Sequence, residues 1–278
     1  MAASDLAVLA DVKTWLAGSS GIGSTDDALL SRLITDVSGA IAAYLNRPSL
    51  TPRTLTERLD GNGRTRLFLS HYPVLAIGSL AIDNVAVAPA APPAAGAPRP
   101  SGYLLESWDG LPPGRPQALD LFALSFRRGR QNVVVTYSAG YAVENETASV
   151  PAAPGPYNVS AAAPFGPWAS DFGVTYADGA ALAAVTGTPG AGRYNVSAGV
   201  YSFAAADAGA ALLISYGFIP AAINNSCIEW GAERYRYRTR IGQSAQTVAG
   251  QQTASYSLKD MPDFVRASLD PYRRVAAA

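Results

Sequence analysis

Between Leu30 and Leu45, apolar side chains return every three or four residues: Leu30, Leu33, Ile34, Val37, Ile41, Tyr44 and Leu45. A stripe of this period demands a helix with one face buried against another element. Ser24 or Thr25 is placed to cap its start, with Asp26 and Asp27 in the first turn, where acids suit the helix dipole. Pro48 is expected to end it. Upstream, Leu9, Val12 and Leu16 share a face and predict a shorter helix that closes at Gly18. The linker from Gly18 to Gly23 is rich in Gly and Ser. It follows a helix and lacks the lysine of a phosphate-binding loop, so it reads as a connector.

Strand patterns follow. Leu55 to Leu59 alternates, Asp60-Gly61-Asn62-Gly63 supplies residues that hairpin turns need, and Leu67 and Leu69 resume the alternation. Ala76–Ile82, Tyr103–Glu106, Leu121–Phe126 and Asn132–Tyr137 predict further strands. Ala88 to Pro100 holds five prolines and is expected to be irregular.

From Ala142 to Gly209 the chain is rich in Ala, Gly and Pro, and no apolar pattern reaches helix length. The stretch is too long for a plain loop and predicts a small β module. It contains an echo: Tyr157-Asn158-Val159-Ser160-Ala161 recurs as Tyr194-Asn195-Val196-Ser197-Ala198. The strand ending Tyr137-Ser138-Ala139-Gly140-Tyr141 leads in. The strand ending Tyr216-Gly217-Phe218 leads out. Their likeness suggests an insertion between a strand and the helix that once followed it.

After Ile219-Pro220 a helix carries Cys227, Glu229, Trp230 and Glu233, then Arg234, Tyr235, Arg236, Tyr237, Arg238 and Arg240. A polar loop and a short final helix follow, running from Met261 to Arg274.

Composition narrows the function classes. The 21 basic and 21 acidic residues cancel, which argues against a protein whose whole surface grips nucleic acid. Only Lys13 and Lys259 are lysines, so the basic side chains are mostly arginines, suited to bidentate pairing at interfaces. One cysteine, Cys227, permits no internal disulfide, and the Asn-x-Ser/Thr triplets read as chance matches in a chain made in a reducing cytoplasm. The most apolar stretch, Ala208 to Ile223, is too interrupted to span a bilayer, so no membrane role is expected.

Taken in order, several stretches resemble the phage head–tail connector family, also called adaptor or head-completion proteins. They are Leu9-Ala10-Asp11-Val12-Lys13 with Trp15-Leu16, Asp26-Asp27-Ala28-Leu29-Leu30 through Ala43-Tyr44-Leu45, Asp60-Gly61-Asn62-Gly63 with Leu67 and Leu69, and Tyr72-Pro73-Val74. Gly129-Arg130 through Gly140-Tyr141, Ile219-Pro220, Cys227-Ile228-Glu229, Glu233-Arg234-Tyr235 and Met261-Pro262 through Pro271-Tyr272-Arg273-Arg274 complete the series. The resemblance leaves out Ala142 to Ser215. It implies an α+β fold: a helical bundle with a small antiparallel β-sheet, here with an inserted all-β module. The expected division is an adaptor core of 1–141 and 216–278, with the module at 142–215. It further implies a structural virion protein of the neck, made in the host cytoplasm and assembled as a ring of roughly twelve copies beneath the portal. Its partners would be the portal protein, the next neck or tail component, and genomic DNA passing through the lumen without sequence preference. No catalysis and no cofactor are implied.

On that reading, 243–278 is the portal-docking arm. Met261, Phe264, Val265, Leu269 and Tyr272 would be its apolar anchors, with Arg266, Arg273 and Arg274 around them. Arg234, Arg236, Arg238 and Arg240 are candidates for a ring interface or the lumen, or equally for a self-paired helix end. His71 is the chain's one histidine and reads as a turn residue rather than a catalytic base. One His and one Cys far apart make no zinc site. An alternative from another class is a carbohydrate- or cell-surface-binding protein, with Phe165, Trp168, Tyr176, Tyr194 and Tyr201 of the module stacking on sugars.

Overall fold

The computed structural model describes residues 5–17, 23–93, 95–106, 116–238, 245–248, 252–255 and 261–274. The fold is mixed α+β. Contacts divide it into two compact units. One joins the chain's two ends, 1–48 and 220–273; the other holds 49–219 and the residues after 273.

The first unit is helical. α1 spans Leu9–Ala17, α2 Asp27–Leu45, α3 Ala221–Tyr237 and α4 Asp263–Leu269. α3 contacts all three of the others. The α2 stripe lies where its period places it. Leu30, Ile34, Val37, Ile41 and Leu45 are fully buried, while Leu33 and Tyr44, at the margins, are half-buried. Ser24–Leu45 is long and apolar enough to pass for a membrane span, yet its stripe is consumed by contacts inside this unit.

Both ends of α2 differ from expectation. Ser24–Asp26 forms a 3-10 turn, and neither Ser24 nor Thr25 caps the helix through its side chain. The helix stops at Asn46, before Pro48 is reached. Asn46 adopts a left-handed conformation (φ 53°), and its N–H closes on the carbonyls of Ala42 and Ala43. Two polar bonds tie the N-terminal segment down: Leu6 N–H donates to Ser38 Oγ at 2.9 Å, and Asn224 Nδ2 donates to Leu6 O at 2.7 Å. Asn224, in one of the Asn-x-Ser/Thr triplets, is thus buried and occupied. Cys227 Sγ lies 3.5 Å from Ser38 Oγ, and burial raises its thiol pKa to about 11.

The second unit is built from strands around two cores. β1 (Arg53–Gly61), β3 (Val74–Ile82), β4 (Val85–Val87) and β7 (Gly129–Ala139) form an antiparallel sheet in the order β1-β7-β3-β4. β2 (Arg66–Phe68), β5 (Gly102–Leu105) and β6 (Ala118–Phe122) form a second, ordered β2-β6-β5. Side chains from both sheets share one core: Leu67, Leu69, Leu80, Tyr103, Leu119, Leu121, Phe126, Val133, Val135 and Tyr137. Alternation explains the central strand, since Val133, Val135 and Tyr137 point inward and Val134 and Thr136 away. The turn 60–63 does not join paired strands, for β1 and β2 lie in different sheets. β1 finds β7 instead, with Leu55 opposite Tyr137 and Leu59 opposite Val133.

The second core lies between a three-stranded sheet, β10-β14-β8, and a four-stranded one, β11-β12-β13-β9. These strands are β8 (Ala142–Ser149), β9 (Asn158–Ser160), β10 (Trp168–Tyr176), β11 (Ala183–Ala184), β12 (Arg193–Ser197), β13 (Val200–Phe203) and β14 (Ala211–Phe218). Val174, Tyr194, Tyr201, Phe203, Leu212, Ile214 and Tyr216 fill the core. The sequence echo has a structural counterpart. β9 and β12 flank β13 on opposite sides in one register: Val159 and Val196 both face Tyr201, and Asn158 and Asn195 both face Ser202. The strands leading in and out meet. Phe218 N–H donates to Tyr141 O at 3.1 Å, and the two rings lie 5.9 Å apart. Gly140 and Gly217 both press on Pro52.

In the C-terminal stretch, Ala245–Val248 and Gln252–Ser255 pair as a two-stranded hairpin.

Candidate interaction surface

The final turn of α3 carries the arginine series. Arg234, Arg236 and Arg238 are exposed; Arg240 lies outside the described residues. Arg234 and Arg238 have these local partners. Arg234 sits over the Trp230 ring, 5.0 Å from its centroid. Arg238 clasps Asp26 with both branches, at 2.9 and 3.2 Å, and Tyr235 OH donates to the same carboxylate at 2.5 Å. The Arg238 bond, then the Tyr235 bond, hold the Asp26 carboxyl below its ordinary range. The Asp26 side chain makes no capping bond to α2. It fixes the end of α3 to the start of α2. Sequence spacing could not show this, because the partners stand 212 residues apart.

The residues assigned to the docking arm separate into two groups. Met261, Val265, Leu269 and Tyr272 are buried in the helical unit. Arg47 Nε donates to Tyr272 O at 2.8 Å, and Tyr44 OH donates to Asp270. Phe264, Arg266 and Arg273 are exposed, Phe264 at 52%. Arg273 lies over the Tyr44 ring at 5.5 Å. The segment 261–273 is built into the helical unit: α4 contributes two fully buried side chains, Val265 and Leu269, to it.

Arg274 belongs to the β unit, where its Nη1 reaches His71 Nε2 at 2.9 Å. His71 Nδ1 faces Glu57 Oε1 at 3.2 Å, and Tyr137 OH donates to Glu57 Oε2 at 2.7 Å. Both ring nitrogens of His71 are thus taken. Among the described residues, no group of three or more His, Cys, Asp or Glu side chains is placed to hold a metal ion.

In the module, Tyr194 and Tyr201 are core residues, and their hydroxyls donate to Asp171 at 2.5 and 3.2 Å. Trp168 Nε1 donates to Tyr201 OH, and Tyr176 OH donates to Asp207. Of the five aromatics considered for sugar stacking, Phe165 alone is exposed, at 48%, and its ring contacts Phe218 at 5.7 Å. An open depression on the module is walled by Thr186, Thr188, Arg193 and Asn195, with no aromatic side chain in its lining. Four of these five aromatics thus have a structural use inside the module.

No protein-family model matches the chain, and no curated protein matches it. Among solved structures, a chain of one described as "Neck of empty GTA particle computed with C6 symmetry" is similar over 100% of this chain and 95% of that one. The two share 12% identity at a TM-score of 0.35.

Proposed function

We propose that this protein is a structural subunit of a phage neck: an adaptor that forms a ring of roughly twelve copies beneath the portal and joins capsid to tail. DNA passes through its lumen, and its work is binding on two sides rather than catalysis. One observation carries the reading. The adaptor-like motifs at the two ends of the chain fold into one helical unit, although some 170 residues separate them. The segment without adaptor-like motifs, 142–215, is built around a core of its own. We take it as an inserted module on an adaptor of 1–141 and 216–278.

Within this reading, α4 docks the portal. Met261, Val265, Leu269 and Tyr272 seat the helix, and Phe264, Arg266 and Arg273 meet the partner. Many such contacts in one ring act as a single strong one. The test is assembly. Purified protein mixed with its portal should form a ring-shaped complex in negative stain, with a mass of about twelve added copies. Phe264→Ala together with Arg266→Glu should weaken that complex while leaving the protomer folded. A protein that stays monomeric with portal present would overturn the proposal.

A further inference from the structure

One end of the β unit is formed by two loops laced together, 60–65 and 123–132. Gly63 N–H donates to Phe126 O at 2.7 Å, and Phe126 N–H returns a bond to Arg64 O at 2.8 Å. Gly61 N–H donates to Asn132 Oδ1 at 2.9 Å, and Gln131 N–H to Asp60 Oδ1 at 2.6 Å. Asn132 Nδ2 binds Arg127 O and Asp83 Oδ1, each at 3.0 Å. The loops approach so closely that a Cβ on Gly61 would fall 1.8 Å from Arg127 O. The Arg128 side chain runs over Gly63, where φ is +77° and a Cβ would meet its Cγ and Nε at 3.0 Å.

This lacing brings the backbones that carry Arg64, Arg127, Arg128 and Arg130 together at that end of the unit. All four are exposed, and none makes an ion pair among the described residues. Other arginines contrast with them: Arg66 is paired with Glu106 and Asp120, and Arg238 with Asp26. The nearby acids, Asp60 and Asp83, already accept the loop's own bonds.

We propose that this loop pair binds the phosphodiester backbone of nucleic acid without reading its sequence. Guanidinium groups match phosphate oxygens in bidentate geometry, and a laced loop presents them without first having to be ordered. Residues 62–65 and 127–131 contain no purely apolar side chain; the exposed Leu124 lies outside both stretches. A protein partner would call for an apolar centre, whereas a nucleic-acid interface is polar and positive. Whole-chain charge cannot supply this affinity, since it sums to zero. The choice of duplex DNA as the nucleic acid rests on the adaptor reading; the arginine surface does not.

The experiment uses the full chain and fluorescein-labelled duplexes of two unrelated sequences, read by anisotropy between about 50 and 200 mM salt. Both duplexes should bind equally and release with salt. Arg127→Ala/Arg128→Ala/Arg130→Ala should weaken binding about tenfold or more and lower the salt slope by about 0.9 for every phosphate no longer neutralised. Arg64→Ala should weaken it less, and neither variant should change the melting temperature. The proposal fails if the triple variant binds like the wild type, or if the wild type ignores DNA at low salt. It also fails if poly-glutamate competes better than duplex, which would assign the surface to an acidic protein. None of these results bears on ring assembly with the portal, so the two proposals stand or fall separately.

Discussion

The hydroxyl of Tyr137 donates to Oε2 of Glu57 at 2.7 Å, across the strand pair at the centre of the first β core. The same carboxylate accepts from Ser70 N–H at 3.2 Å and faces His71 Nδ1. Arg274 can only donate, so His71 Nε2 accepts from it, and the ring proton sits on Nδ1 toward Glu57. Burial alone would raise the Glu57 pKa, but the Tyr137 and Ser70 bonds, with His71, bring it below its ordinary 4.5. Burial first, then Arg274 and Arg53, depress His71 below its ordinary 6.5 against the pull of Glu57.

The sign of the pH dependence follows. Near neutrality the unfolded chain takes up the His71 proton at higher pH than the folded one. The stability contributed by neutral His71 is complete above about 6.5 and declines as pH falls toward its folded value. Glu57 adds a second loss below about 4.5. Melting temperature should therefore fall between about pH 7 and pH 5, and His71→Gln should flatten that window only. Scanning calorimetry across the range checks this; an unchanged slope in the variant would refute it.

Leu269 and Val37 test whether the helical unit is one cooperative body. Both are fully buried. Leu269→Ala should cost about 2–5 kcal/mol through transfer and cavity terms. Val37→Asp should cost several kcal/mol, because an unpaired charge is buried. Leu33→Asp, at a half-buried margin, should be milder. Urea denaturation gives all three values. A neutral Leu269→Ala would show that α4 adds nothing to the fold.

Gly140 has φ +150°, and a Cβ there would fall 2.5 Å from Pro52 N and Thr51 C. Both neighbours are backbone atoms, which cannot swing aside. Gly140→Ala should destabilise the β unit by about 1–3 kcal/mol. Gly173→Ala, also at positive φ but with open space around it, isolates the conformational part of that cost. Equal losses in the two variants would deny that steric crowding matters at Gly140.

Excising 142–217 and joining Tyr141 to Phe218 should leave a folded chain. The ends are already hydrogen-bonded to each other at 3.1 Å. The rejoined protein should keep its helical circular dichroism and melt several degrees lower, because Tyr141 and Phe218 lose cover. Inclusion bodies from a correctly joined chain would make the module part of the core.

What the sequence determined by itself was local. The period of Leu30 to Leu45 dictated a helix and its buried face, and alternation at Val133, Val135 and Tyr137 dictated a strand with one face inward. The echo of Tyr157–Ala161 in Tyr194–Ala198 marked two segments that share one register against β13. These are properties of a few consecutive residues, set by backbone geometry and side-chain period. Tertiary structure decided who meets whom. It sent β1 to β7 rather than to β2, placed Asp26 against Arg238, seated Val265 and Leu269 in their own helical unit, and laced Arg64 to the loop of Arg127 and Arg130. Each of these joins residues distant in sequence. A side chain's type limits the partners it can take, but only the folded path of the chain brings one of them within reach.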